Sequence, residues 1–260
     1  MEQSLLAKVM DGAPMGTPLE DIQVYTNWII SKSHRYAMST YFRGMPGLTD
    51  SCGMNTWLGD YIGQPVGAVI LELMGSTETL RQATAMSCLN SAMPVPAGWF
   101  EGNAIDFFAT LAKTRHTSFI GHFKEGAGWR EQGYPVDMIE LFPQPGDIHW
   151  DQSHEVLART EIVLMTGLTL VNDTFHEVIR RTPNASIRVI MGPTVPFSPA
   201  LFGEGIHFIG STLVGDVAKL ATYCQRGGGS IAHAPAGALT KVNLTCLPEL
   251  RDQVLAVTPL

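Results

Sequence analysis

Short apolar runs alternate with helical patterns through the second half of the chain. Five runs have the length of buried or half-buried strands: 117–123, 136–142, 162–165, 186–191 and 206–210. Apolar residues at helical spacing lie between or after these runs, at 153–159, 174–181 and 216–226. Strands that alternate with helices predict a layered α/β domain with a parallel sheet and right-handed crossovers.

The first half has a different order of elements. Residues 22–30 alternate partly with period two, and residues 35–42 can pair with them as a hairpin across a short polar turn. Three helical stretches follow, at 55–62, 77–90 and 103–113. Strands followed by helices are typical of a small α+β domain. The sequence therefore predicts an N-terminal α+β domain over 1–115 and an α/β domain over 116–260.

The stretch from 161 to 180 reads as strand, polar turn and helix. Thr174 and Glu177 have the spacing of a capping box at the start of the helix. The residues of the turn that can meet a ligand are Thr166, Gly167, Thr169, Asn172 and Thr174. Ligands bind beyond the carboxyl ends of parallel strands and near helix N-termini, so this turn suits an anionic or polar small molecule. The same residue types also favour an ordinary capped turn that binds nothing, and this alternative stays open.

Two neighbouring strands end in residues with acid–base chemistry, and a third ends in a rigid turn. Gly121 and His122 follow the first strand of the α/β domain, and Glu140 ends the second. The rigid turn after the fourth strand consists of Gly192, Pro193 and Thr194. Because parallel strands end at one edge of a sheet, we expect these residues to share a cleft with the 166–174 turn. His122 and Glu140 are then the candidates for a general acid or base.

Other chemistries have weaker patterns. After the first strand, Glu131 stands where a dinucleotide fingerprint through Gly126 and Gly128 needs its third glycine. No pair of histidines in the second half has the spacing of a helical zinc site, and His122 is the best-placed metal ligand. Cys52 lies in a turn-like context without a recognisable partner histidine, which favours a plain thiol over a nucleophile.

Composition narrows the class of protein. Of 260 residues, 45% are hydrophobic and 16% are charged, which predicts a sizeable core. The net charge of −7 argues against nucleic-acid binding, and no apolar run approaches the length of a membrane span. The four cysteines are scattered, as is typical of reduced thiols, and we expect a cytoplasmic protein. The low charge content also predicts that some surface is buried in a homodimer.

Several segments resemble one known family. Residues 166–174 are similar to its Thr-Gly-x-Thr-x-x-Asn-x-Thr signature, and 192–194 to its Gly-Pro-Ser/Thr turn. Gly121-His-Phe123 and Glu140 match its first two strand ends, and 83–92 is similar to its alanine-rich helix ending in Asn-Ala. This is the uncharacterised family known as the "putative heavy-metal chelation" domain. Its members join an N-terminal domain like that of enolase to a Rossmann-like domain, and the resemblance implies that arrangement here. Residues 50–54 have no counterpart in the family pattern.

The leading functional hypothesis is binding of a small anionic or metal-chelating metabolite in a cleft between the domains, in metal homeostasis or chelator metabolism. Any cofactor is then a metal ion or a metal chelate. The first rival is an enzyme that transforms such a metabolite, with His122 or Glu140 as acid or base. A second rival is a nucleotide-dependent oxidoreductase, which the incomplete glycine pattern disfavours. A purely structural interaction protein is the third, and the polar turns at one sheet edge argue against it.

Overall fold

The computed structural model describes residues 1–41 and 56–257. Cys52 lies outside the described residues. The helices are α1 (Gln3–Met10), α2 (Val66–Met74), α3 (Thr79–Ala92), α4 (Ala104–Ala112), α5 (Lys124–Glu131), α6 (His154–Arg159), α7 (Phe175–Arg181), α8 (Val217–Gln225) and α9 (Pro248–Val257). The strands are β1 (Asp21–Val24), β2 (Trp28–Lys32), β3 (Tyr36–Thr40), β4 (Phe100–Glu101), β5 (Thr117–Ile120), β6 (Val136–Glu140), β7 (Ile148–His149), β8 (Ile162–Thr166), β9 (Ile187–Met191), β10 (Phe208–Val214) and β11 (Leu239–Thr245). Among the described residues, no helix has both the length and the apolar character that crossing a bilayer requires.

The larger sheet has eight strands in the order β4-β11-β10-β9-β8-β5-β6-β7. The six strands from β5 to β10 run parallel, and β11 and β4 complete the sheet in antiparallel pairs. If the parallel strands are counted from β5, their spatial order is 3-2-1-4-5-6, the order of Rossmann folds. The predicted α/β class is confirmed. The strand order reverses between β5 and β8, so a crevice opens at their carboxyl ends.

The smaller sheet contains β1, β2 and β3 in antiparallel order. The hairpin prediction holds for β2 and β3, but the single strand predicted over 22–30 is wrong. Tyr25 N donates to Trp28 O at 2.8 Å, which closes a turn and divides this segment into β1 and β2. The helices α1 and α2 were not predicted.

Helix α3 is buried along most of its length, from Ala83 to Ala92. Its small residues allow close contact with the three-stranded sheet, and polar side chains bridge the two. Ser87 Oγ lies 2.8 Å from Ser31 Oγ, and Ser39 Oγ donates to Ala83 O at 2.6 Å. Helix α2 packs on another side of α3, so almost no part of α3 faces solvent.

The two sheets are joined through the turn after β9. Thr40 N donates to Thr194 Oγ1 at 2.9 Å. Asn90 Nδ2, near the end of α3, donates to Met38 O at 3.1 Å and to Pro193 O at 2.9 Å. Thr194 and Asn90 are both buried. These hydrogen bonds fix the N-terminal elements relative to the Rossmann-like sheet.

Strand β4 and helix α4 precede residue 116 but pack with the larger sheet. Strand β4 pairs with β11. On α4, the Phe108 ring stands nearly perpendicular to the Phe208 ring, with centroids 5.1 Å apart. The division at 115/116 stays a prediction about which part of the chain folds as a unit.

Asp137 in β6 gives the fold a predictable dependence on pH. His116 Nε2 donates to its carboxylate at 2.8 Å, and this hydrogen bond is the main cause that lowers the pKa of Asp137. Because its folded pKa is depressed, ionised Asp137 stabilises the fold above its unfolded pKa of about 3.9, and this contribution is lost as the pH falls through the folded pKa. We expect the difference in unfolding free energy between wild type and Asp137→Asn to shrink in acid, as measured by urea denaturation across pH. A difference that does not vary with pH would contradict an ionic role.

Candidate functional site

A cleft of about 360 Å³ lies where the strand order of the larger sheet reverses. It is bounded by the carboxyl ends of β5, β6 and β8 and by the first turn of α3. Six residues predicted to bind a ligand line it: Gly121, Glu140, Thr166, Thr169, Asn172 and Thr174. The other lining residues are Thr79, Gln82, Ile120, Ile139, Leu141, Phe142, Trp150 and Leu168. The larger sheet and helix α3, which packs on the smaller sheet, therefore contribute to one cleft.

The turn after β8 holds its own shape through side-chain hydrogen bonds. Thr166 Oγ1 accepts from Leu168 N at 3.3 Å, and Thr169 Oγ1 donates to Thr166 O at 2.8 Å. Asn172 Oδ1 accepts from Thr174 N at 3.3 Å and from Thr174 Oγ1 at 2.7 Å. Asn172 Nδ2 has no hydrogen-bond partner among the described residues. The amide oxygen therefore orders the loop, and the amide nitrogen stays available at the cleft.

The capping box predicted for Thr174 and Glu177 is wrong. The Thr174 side chain makes no capping hydrogen bond to the start of α7, and the backbone of Thr174 is helical (φ −88°, ψ −8°) instead of extended as in an N-cap. Its hydroxyl donates to Asn172. Glu177 instead accepts from Arg181 Nε at 2.6 Å, one turn along the helix. Thr174 thus belongs to the loop that lines the cleft.

Five residues predicted to bind a ligand do not line the cleft: Gly167, Gly192, Pro193 and Thr194, which serve the fold, and His122, which lies beside it. Gly167 lies against Val195, and a β-carbon on this glycine would come within 2.6 Å of Val195 Cγ2. Gly192, Pro193 and Thr194 form the turn that joins the two sheets. The tight packing and the hydrogen bonds of these residues serve the fold.

Glu140 ends β6 and is the only charged side chain among the described residues that line the cleft. Its Oε1 accepts from His122 N at 2.6 Å, and its Oε2 accepts from Leu141 N at 3.1 Å. Both hydrogen bonds orient the carboxylate and leave further acceptor positions on each oxygen. The described part of the site is therefore weakly acidic, and none of its lining side chains is cationic.

His122 lies beside the cleft and does not line it. Its Nδ1 is 2.9 Å from Asp147 Oδ2, and the Asp147 side chain is completely buried. Gln144 N also donates to Asp147 Oδ2, at 3.1 Å, and Arg130 Nη1 lies 3.7 Å from Oδ1. A carboxylate in this position favours a proton on Nδ1, which leaves Nε2 as the acceptor.

The loop after β5 corrects the dinucleotide pattern read from the sequence. Helix α5 already begins at Lys124, so Gly126 and Gly128 lie within it. The register that matches a Rossmann fingerprint is Gly121-x-Phe123-x-x-Gly126. Gly121 has a φ of +112°, where a side chain is strained. Phe123 therefore stands where the fingerprint has the glycine that lets the backbone approach a pyrophosphate.

Gly126 has the packing role of the third fingerprint glycine. A β-carbon at this position would come within 2.9 Å of the buried Phe119 ring. We expect Gly126→Ala to destabilise the protein by about 1–3 kcal/mol because the helix must move away from β5. Gly128→Ala on the same helix is the matched control, since a β-carbon there meets nothing within 4 Å. Gly128→Ala should stabilise the protein by up to about 1 kcal/mol, because alanine has a higher helix propensity than glycine. Thermal denaturation of both variants measures the contrast, and equal shifts would contradict the close packing.

The comparison with known proteins assigns the chain to a family. Residues 103–243 match the model of the family described as "DUF364: Putative heavy-metal chelation". The chain belongs to this family. The match covers more than half of the chain, and it confirms the resemblance seen in the sequence.

This DUF364 protein is also similar to one curated protein over a short segment and to two solved structures in fold. It is 37% identical over 79 residues to an uncharacterised protein of Methanocaldococcus jannaschii, and the aligned segment spans 30% of each chain. A crystal structure of a DUF364 protein of unknown function from Desulfitobacterium hafniense has a TM-score of 0.81 at 16% identity and covers 93% of this chain and 98% of its own. A second DUF364 structure, from Pyrococcus horikoshii, has a TM-score of 0.70 at 15% identity and covers 93% of this chain and 99% of its own. At these identities the two structures establish a shared fold.

The family description raises the question of a metal. Among the described residues of this DUF364 protein, no group of three or more histidine, cysteine, aspartate or glutamate side chains is arranged to hold a metal ion. Glu140 is the only such side chain among the cleft-lining residues that the structure describes. One carboxylate together with neutral hydroxyl and amide groups falls short of the ligand set of a tight zinc site.

Part of the cleft could not be found from the sequence of this DUF364 protein. Thr79 and Gln82 come from α3, and only the folded chain brings this helix to the sheet edge. Trp150 follows the two-residue strand β7, which is too short to leave a pattern. The Trp150 ring lies 4.2 Å below the Arg181 guanidinium, and Arg181 Nη1 donates to Trp150 O at 3.1 Å. These contacts hold the indole in place as part of the cleft wall.

Proposed function

We propose that this DUF364 protein binds a small anionic or metal-chelating metabolite in the cleft between α3 and the carboxyl edge of the Rossmann-like sheet. The observation that carries the proposal is the position of the cleft at the strand-order reversal, where open α/β sheets bind their ligands. Its volume of about 360 Å³ suits a small molecule. The ordered 166–174 turn supplies hydroxyl and amide groups at one side.

The charge of the cleft favours a metal chelate over a bare polyanion. Glu140 repels anions, and the described lining residues provide no lysine or arginine to balance it. A chelated metal brings its own ligands and partly neutralises them, so the protein needs only hydrogen bonds and one carboxylate. We therefore expect any metal to bind through a chelator.

Calorimetry tests this expectation directly. Zinc, nickel and copper salts alone should bind the ligand-free protein weakly, whereas one of their complexes with citrate or another small chelator should bind stoichiometrically. Metal analysis and native mass spectrometry of protein purified without an affinity tag should show metal and organic mass together. Tight stoichiometric binding of a bare metal ion would contradict the proposal, and loss of that binding in His122→Ala would locate a protein metal site.

Asn172→Ala tests the location of the site. We expect the variant to lose at least one hydrogen bond to the chelate. If that partner is charged, the bond contributes roughly 1.5–3 kcal/mol, or about ten- to a hundredfold in affinity. The control is Asn184→Ala, which removes an exposed amide that donates to Ala158 O at 2.8 Å, on another part of the surface. A lower melting temperature with unchanged affinity in Asn172→Ala would show that the residue only holds the loop.

The His122–Asp147 pair is a specific observation in favour of an enzyme. A buried carboxylate that orients a histidine is a common arrangement for a general base. Glu140 is less suited to this role, because both of its oxygens accept backbone hydrogen bonds. If the bound metabolite is converted during incubation, His122→Ala should stop the conversion and preserve binding. Unchanged conversion in that variant would remove His122 as the acid or base.

A further inference from the structure

Glu140 lies at a position that has a known ligand-binding role in Rossmann folds. It ends β6, the second strand of the parallel sheet, and follows Gly121 by about 20 residues, where an acidic residue binds ribose hydroxyls. The hydrogen bond from His122 N fixes the carboxylate against the loop after β5. We infer that the metabolite carries a ribonucleoside group whose vicinal ribose hydroxyls donate to Glu140. This inference rests on the proposed function of the cleft.

The cleft next to Glu140 offers a surface for a flat base. Leu141 and Phe142 follow directly in the chain, and both line the cleft together with Trp150 and Ile139. Phe142 is 63% exposed, which is unusual for such a large apolar side chain. An aromatic base packed on this side chain would cover it. A base on Phe142 would lie next to a ribose on Glu140, as the adjacent base and sugar of a nucleoside require.

A diphosphate does not fit the same loop. Phe123 replaces the fingerprint glycine that permits close approach of the backbone to a pyrophosphate. Its ring packs towards the turn, since a β-carbon on Gly121 would come within 3.1 Å of it. The described lining residues include no cation to neutralise phosphate charge. The group recognised is therefore a nucleoside without a bridging diphosphate, and this separates the chain from dinucleotide-dependent oxidoreductases.

Binding of defined probes to the full chain tests the inference. The four ribonucleosides, 2′-deoxyadenosine, catechol and NAD⁺ are titrated by calorimetry, with thermal shift as a second readout. We expect at least one ribonucleoside to bind, and adenosine to bind about ten- to a hundredfold more tightly than 2′-deoxyadenosine, because one hydrogen bond to a charged group is lost. NAD⁺ should bind more weakly than adenosine. Equal affinity for adenosine and 2′-deoxyadenosine, or tighter binding of NAD⁺, would overturn the inference.

Two variants keep the test independent of folding. Glu140→Gln should abolish the preference for ribose over deoxyribose. Because glutamine keeps only one side-chain oxygen, this change also removes one of the two backbone hydrogen bonds that the carboxylate accepts, so Phe142→Ala serves as the second variant. It should weaken both nucleosides equally and leave the melting temperature unchanged, since the ring is mostly exposed. Trp99→Ala, which truncates a partly exposed aromatic residue that does not line the cleft, is the matched control and should alter neither affinity.

The metal-chelate titration separates this inference from the proposed function. If a metal–citrate complex binds and depends on Asn172, while no ribonucleoside binds, the nucleoside inference fails and the proposed function stands. If only catechol binds, a vicinal diol on an aromatic ring is recognised without ribose, and the inference fails in the same way. If no probe binds at millimolar concentration, both are overturned.

Discussion

Replacing Asn90 by alanine is expected to destabilise the protein by roughly 2–6 kcal/mol. The change leaves two buried carbonyl groups without a hydrogen-bond donor, at a cost of about 1–3 kcal/mol each. Asn90 Nδ2 donates to both Met38 O and Pro193 O, and the residue is almost fully buried. Water cannot readily replace the lost donor at such a site. The loss is measured as the unfolding free energy in urea, followed by circular dichroism.

Two further variants sharpen this prediction. Asn90→Asp replaces the donor by an acceptor that faces two carbonyl oxygens, so it should be at least as damaging as Asn90→Ala. Asn184→Ala removes an exposed asparagine and should change stability by less than about 0.5 kcal/mol. Because α3 supplies Thr79 and Gln82 to the cleft, a loosened α3 should also weaken ligand binding. A loss below about 1 kcal/mol for Asn90→Ala would show that the two carbonyls find other partners.

The parallel strands could be predicted because each is a local signal. β8 is a continuous apolar run except for its last residue, and at least half of the residues in β5, β6 and β9 are apolar. Burial on both faces favours that composition wherever such a strand occurs. Strand β11 was missed because it is only partly buried, and polar residues interrupt its apolar ones. The first part of β11 reads Leu-Thr-Lys-Val, which has no pattern distinct from a loop.

The cleft was only partly predictable, for a physical reason. Parallel strands end at one edge, so Gly121, Glu140 and Thr166 could be brought together from the sequence alone. The turn at 192–194 follows a neighbouring strand at the same edge, yet its hydroxyl and carbonyl groups are used by Thr40 and Asn90. Whether a polar turn faces a ligand or another part of the chain depends on long-range packing, which the local pattern does not contain.

Phe208→Ala is expected to destabilise the protein by about 3–5 kcal/mol, because removing a fully buried phenylalanine leaves a cavity that its neighbours cannot fill. The Phe208 ring contacts those of Phe100, Phe107 and Phe108 at centroid distances of 5.9, 6.0 and 5.1 Å. It therefore holds β4 and α4 on the larger sheet. Phe142→Ala is the matched control and should leave the unfolding free energy within about 0.5 kcal/mol of wild type, because that ring is mostly exposed. Urea denaturation followed by circular dichroism measures both variants.

The number of unfolding transitions tests the predicted domain division. If residues 1–115 fold without the sheet, unfolding of Phe208→Ala should separate into two transitions, the sheet melting first. A single transition at lower urea would show that β4 and α4 unite the chain into one cooperative unit, and a loss comparable to that of Phe142→Ala would contradict the aromatic cluster as a source of stability.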